Sequence, residues 1–336
     1  MKNSLKKHAL LVSICLLLPS LLLMTTHQTA DQFIIASEKS VPKTAGYYPD
    51  TAPIFINNDW TWALSQPWCN GAGTFSDPYI IENVTVSNTL KTGISISNSD
   101  DYFIIRNCTV FNSSETEYQA GIKITNSSNG MLLNNNCSNN NNFGIYLVDS
   151  TNMTVANNTA NNNGYKGIYL HSSNDNEILS NEANDNEERG ISTYQSDKNT
   201  VKGNTVKNNR YGMLIFLSDE NKIQDNTVES NKWGIWLKKS DNNEITGNSF
   251  KDNEYCIYEI ECEGNTYSDN GDCEVYRPGE FDLVEFITSP FGIIMSVGII
   301  AAVIVIVVVI SRGGAYKASK KERERIQKIF DEEIEK

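Results

Sequence analysis

The chain has 336 residues, with 28 Lys plus Arg against 41 Asp plus Glu and a net charge of −13. That length allows one large domain or two ordinary ones, and the acidity excludes a nucleic-acid binder that works through basic contacts. Hydrophobic residues make up 39% of the chain and gather at its two ends, while the middle is crowded with Asn. On composition alone that middle would be a disordered polar tract, so the spacing of its Asn residues decides the matter.

Lys2, Lys6 and Lys7 precede an uncharged stretch over 9–24, and small and polar residues lead to Ala30. Residues 1–30 therefore read as a secretory signal peptide, and 31–92 as an N-terminal extension and cap.

From 93 to 275 the chain repeats. Gly93, Gly121, Gly144, Gly167, Gly190, Gly212 and Gly234 recur first after 28 residues, then every 23 and finally every 22, and Cys256 takes the next place. Six residues after each Gly stands Ser99, Ser127, Ser150, Ser173, Ser196, Ser218 or Ser240, and eleven after it an aliphatic residue from Ile104 to Ile245. Two Asn columns complete the unit. One contains Asn107, Asn135, Asn158, Asn181, Asn204, Asn226, Asn248 and Asn270, the other Asn112, Asn140, Asn163, Asn186, Asn209, Asn231 and Asn253.

A unit this short cannot hold a helical hairpin, and it lacks the several Leu of a leucine-rich repeat; it fits one turn of a β-solenoid. Stacked coils would bring like residues together, so Asn158, Asn181, Asn204, Asn226 and Asn248 are expected to hydrogen-bond along the axis as a structural ladder. The fold class expected is all-β, a parallel β-helix of about eight coils.

Beyond the repeat, 276–290 reads as an acidic stem. Residues 291–310 carry no charge and are rich in Ile and Val, long enough for a transmembrane helix. Arg312, Lys317, Lys320, Lys321, Arg323 and Arg325 follow, so the positive-inside bias puts the C-terminus in the cytoplasm and the bulk of the chain outside the cell. Ile326, Ile329, Phe330 and Ile334 give 311–336 the spacing of a cytoplasmic helical tail, with a face for a partner or for the membrane surface.

Strand alternation turns two positions of each coil outward, and the residue before each Gly joins them. They form a row with Tyr146, Tyr169, His171, Tyr194, Tyr211, Phe216, Trp233, Trp236 and Tyr255, a face on which sugars or a protein partner would bind. Strand propensity alone also favours such residues. No Asp or Glu occupies the outward places from Tyr146 to Tyr258; Glu187 and Glu188, beside Arg189 at the strand edge, are the nearest carboxylates for catalysis. Asp197, Asp219 and Asp241 stack directly after the repeat Ser, as exposed bends or as a calcium site; no other cofactor is expected. His171 is the one His left once the leader is removed, which argues against a His-built copper or zinc centre.

Six Cys follow the leader, and an even number outside the cell points to disulfides. Cys256, Cys262 and Cys273 are expected to supply one bridge near the C-terminal end, with the connectivity open. Of seven glycosylation sequons, those at Asn126, Asn136 and Asn152 fall at bends.

The array, with the lead-in Gly73-Thr74-Phe75-Ser76-Asp77-Pro78-Tyr79-Ile80-Ile81-Glu82-Asn83 and the run Tyr102 to Cys108, resembles the right-handed parallel β-helix repeats of the NosD-type and carbohydrate-binding/sugar-hydrolase (CASH) families of archaeal-type surface proteins. The resemblance implies the fold and a surface setting more than one activity, since this fold serves lyases, hydrolases, adhesins and transporter accessory proteins. The reading is a membrane-anchored surface β-helix, non-catalytic, that binds a polysaccharide or surface glycoprotein or serves as a structural element. The alternatives are a polysaccharide lyase or glycoside hydrolase acting on acidic glycans, and a NosD-like accessory protein of a transporter.

Overall fold

The computed structural model describes residues 51–87 and 90–278. The signal peptide, most of the stem, the membrane helix and the tail lie outside the described residues. Among those residues no helix is long and apolar enough to cross a membrane.

The chain winds as a right-handed parallel β-solenoid of about eight turns. Each turn adds one strand to a ten-stranded first sheet that runs from Ile54–Asn57 through Phe143–Val148, Lys166–His171, Arg189–Tyr194, Tyr211–Phe216, Trp233–Lys238 and Tyr255–Ile260 to Val275–Tyr276. A second ten-stranded sheet takes a shorter strand from each turn, from Cys69–Asn70 to Thr266–Ser268. A third wall is built from Thr205–Lys207, Thr227–Glu229 and Ser249–Lys251 and is extended toward the N-terminus by single bridges. Ile54–Asn57 already pairs in parallel with Ile94–Ser97, so the winding begins ahead of Gly93.

Inside the tube, like residues stack. Ile122, Ile145, Ile168, Ile191, Met213, Ile235 and Ile257 form one column at 0–1% exposure, and each such side chain contributes about 1.5–3 kcal/mol by leaving water. The Gly column stands at a corner where a Cβ on Gly190 would lie 2.7 Å from the Gly212 carbonyl oxygen and 2.9 Å from the Asn209 amide nitrogen. No side chain fits there while another coil follows.

Four bends per coil share one construction. A residue with positive φ turns the chain, and the next residue points inward: Asp149 precedes Ser150, Asp175 precedes Asn176, Asn157 precedes Asn158 and Asn162 precedes Asn163. Asn and Asp tolerate this left-handed conformation because their short polar side chains bond locally. The inward residues make the ladders. In the column from Asn135 to Asn270 each Asn gives its backbone N–H to the Oδ1 of the next coil at 2.8–3.0 Å. A second column runs from Asn140 to Asn253. The Ser column does the same through its hydroxyls until Ser240 meets the Cys262 Sγ at 3.4 Å.

Three features differ from the sequence reading. A third ladder, Asn176, Asn199, Asn221, Asn243 and Asn265, joins the two expected columns. Asn107 and Asn112 are not ladder members; both are positive-φ bend residues, and the buried places fall to Cys108 and Ser113. One extra residue in the bend at 100–102 causes this, because Ser99 still meets Ser127 whereas Phe103 pairs with Gly130. The same shift makes Ile105, not Ile104, the inward residue opposite Leu132.

Candidate functional site

The row of rings on the outer face of the first sheet is continuous, yet it is not an open platform. Tyr146, Tyr169, Tyr211, Phe216 and Trp236 are only 2–9% exposed. Strands of successive coils lie ~4.8 Å apart, which is also a ring-stacking distance. Tyr146 and Tyr169 stack with centroids 4.9 Å apart at 4°, and Tyr211 and Trp233 at 4.6 Å and 11°. Each ring thus covers its neighbour's face, the surface a sugar would need. His171, Tyr194, Trp233 and Tyr255 keep partial exposure at the rim.

Cations are packed into the same row. The Lys166 Nζ lies 3.4 Å from the Tyr169 ring centroid and is buried, and that burial, together with Arg189, pulls its pKa well below the usual lysine value. Arg189 contacts Glu188 at 3.1 Å. Arg210 and Lys232 are exposed and stand 5.9 and 4.4 Å from the Trp233 ring. His171 Nδ1 and the Tyr146 hydroxyl are 3.2 Å apart, and burial lowers the His171 pKa.

The structure does not assemble the catalytic candidates into a flanking pair of carboxylates. Glu187 is exposed, whereas Glu188 turns to the buried Arg189. The Asp column is likewise a structural ladder: Asp219 N–H donates to Asp197 Oδ1 at 2.8 Å, Asp241 N–H to Asp219 Oδ1 at 2.7 Å, and Glu263 N–H to Asp241 Oδ1 at 2.7 Å. One oxygen of each carboxylate is thereby committed to the next coil. Among the described residues no group of three or more His, Cys, Asp or Glu is placed to hold a metal ion. The bend reading of Asp197, Asp219 and Asp241 is the one these hydrogen bonds support over the calcium alternative.

A concavity that the periodic pattern did not mark lies on the outer face of the second sheet. This groove of about 320 Å³ is lined by Phe75, Tyr102 and Met131, with Asn129, Asn152 and Thr154 supplying polar atoms. Phe75 and Tyr102 meet edge to face at 5.4 Å and remain 49% and 37% exposed. The 100–102 bend puts Tyr102 there, and the lead-in loop puts Phe75 opposite it. Both residues stand in the segments that carry the family resemblance, but outside the Gly register that exposed the repeat.

Comparison with solved structures finds the same architecture. The chain is 16% identical to the Azotobacter vinelandii mannuronan C-5 epimerase AlgE4 A-module, with a TM-score of 0.47 over 59% of this chain and 62% of that one. It is 17% identical to the Dettilon tailspike protein gp208, with a TM-score of 0.53 over 71% and 51%. PfbA, a surface adhesin of Streptococcus pneumoniae, gives 14% identity and 0.40 over 61% and 74%. The chain spans about half to three-fifths of the first two, and at these identities the likeness is one of fold. No curated protein matches the sequence significantly. The family model described as a right-handed β-helix region matches residues 68–228 and 167–275, which together cover more than half of the chain. The chain therefore belongs to the right-handed β-helix family.

Proposed function

We propose that the protein is a non-catalytic, surface-displayed β-helix, carried outside the cell on a single membrane span, that binds saccharide in the Phe75–Tyr102 groove. The observation that supports this most is the pair of half-exposed rings facing amide and hydroxyl side chains within about 320 Å³, at the small end of ligand-sized pockets. Sugar C–H faces pack on aromatic rings while their hydroxyls bond to Asn and Thr, so both halves of a saccharide have partners there. The test is binding of a polysaccharide and oligosaccharide panel to the full chain and to Phe75→Ala and Tyr102→Ala. Each substitution is expected to weaken binding of the preferred glycan at least tenfold. Equal affinity in wild type and both variants would overturn the assignment.

A second reading rests on Arg210, Lys232 and Trp233, whose charges and partly exposed ring at the rim suit the carboxylates of an acidic glycan. Binding of polyuronates that falls with salt and with Arg210→Ala and Lys232→Ala, but not with Tyr102→Ala, would move the site to that rim.

A further inference from the structure

We propose that Cys256 and Cys273 are a disulfide-forming pair that clips the final strand onto the end of the solenoid. All six cysteines of the described residues are free thiols in the structure.

Cys256 occupies the Gly column of the last full coil. At Gly144, Gly167, Gly190 and Gly212 an added Cβ would collide with the next carbonyl and a ladder amide, so no side chain is admitted. That ladder stops at Asn253, and a side chain at 256 has the space its predecessors lacked. Strand Val275–Tyr276 then lies over Tyr255–Ile260, with Ile257 opposite Val275 and Tyr258 opposite Tyr276. This register sets 274 opposite 256, so Cys273 stands one residue from the place facing Cys256, and the two side chains lie near enough to interact. Cys262 is differently employed: its Sγ takes the Ser place in the column, accepts the Ser240 N–H at 3.4 Å and donates to the Ile260 carbonyl at 3.2 Å. Cys69, Cys108 and Cys137 belong to the opposite end.

Oxidation forms one Sγ–Sγ bond, releases two thiol protons and passes two electrons to a small-molecule disulfide, which leaves as two thiols. The bond closes the 257–272 loop, and the strand it holds has only two residues. The terminal strand of a solenoid has a neighbour on one side only, so this is where fraying begins. The Arg277–Glu259 ion pair at 2.5 Å and the Tyr276 ring, which packs against Tyr255 and Tyr258, depend on the same strand.

The experiment takes the purified full chain, reduces it, incubates it in glutathione redox mixtures and alkylates it under denaturing conditions before peptide mapping by mass spectrometry. The expected result is a loss of two hydrogens and a single cross-linked pair containing Cys256 and Cys273, retained in Cys262→Ser. Alkylation of both cysteines under excess oxidised glutathione, or linkage of either one to Cys262, would overturn the assignment. On native wild-type protein, oxidation is expected to slow proteolytic cleavage within 260–278 at least tenfold, an effect absent in Cys273→Ser; equal cleavage of oxidised and reduced wild type would show that the bond is no clip.

Discussion

Asn204 accepts the backbone N–H and the side-chain amide of Asn181 through its Oδ1, and its own N–H and Nδ2 reach Asn226 and the Ile178 carbonyl, so one side chain joins neighbouring coils on both sides. Truncation leaves buried donors without acceptors at about 1–3 kcal/mol each. Asn204→Ala is therefore expected to cost about 2–4 kcal/mol in urea unfolding. Asn208→Gly, at an exposed bend with φ 57°, should stay within about 0.5 kcal/mol because Gly accepts that conformation freely. His171 gives a pH test. Its folded pKa lies below the ordinary value, chiefly through burial, so the unfolded chain takes up the proton first as pH falls. Wild type should lose stability relative to His171→Gln on acidification below the unfolded pKa of about 6.5, and the difference should level off below the folded pKa. Identical pH profiles would refute this. The ladder Asn residues from 158 to 248 were legible in the sequence as a period. Asn107 and Asn112 were misplaced because Asn is also the favoured bend residue, so counting from Gly93 cannot distinguish a bend amide from a ladder amide across an inserted residue.

At the scale of the element, the first sheet shows why outward is not the same as exposed. The alternation correctly turned Tyr146, Tyr169 and Trp236 away from the core column, but it carries no information about what lies one coil above. There the next ring supplies the cover. Trp236, 6% exposed and packed between Tyr211 and Tyr258, should behave as a core residue, with Trp236→Ala costing about 3–5 kcal/mol. Trp233 at the rim should cost clearly less, and chemical denaturation of the two variants compares them directly. The groove eluded the same reading for the complementary reason. Phe75 and Tyr102 come from an irregular lead-in and from an inserted residue, and a search for regularity passes over such places.

Across the whole molecule, each coil touches only the coils before and after it, so stability is approximately a sum over coils and their interfaces. Deleting 190–211 removes one 22-residue unit and returns every ladder to register. That variant is expected to fold with the same circular dichroism per residue, shortened by ~4.8 Å in small-angle scattering. Deleting Ile191 alone, inside the strand Arg189–Tyr194, shifts the rest of that strand by one residue, turns its core side chains to the surface and should fail to fold. Folding of both variants, or of neither, would contradict the additive picture. The fold and its period were legible at this scale from the Gly, Ser and Asn columns alone; where the winding begins was not, since Ile54–Asn57 belongs to a coil that precedes the first Gly of the register.

The buried ladders also have a direction. In the inward Asn and Ser columns the backbone N–H reaches forward to the side chain of the following coil, an oxygen until Ser240 meets the Cys262 sulfur, and among the described residues the Asn columns finish at Asn253, Asn265 and Asn270. In these inward columns the leading end offers side-chain acceptors and the trailing end backbone donors, while the outer Asp column runs the opposite way. Joined through the inward ladders, two such molecules would meet head to tail, a contact that generates an open filament rather than a closed dimer. The N-terminal segment with Trp60 and Trp68, and the C-terminal strand at Val275–Tyr276, stand across those two faces. A chain stripped of both is therefore expected to polymerise along its own axis.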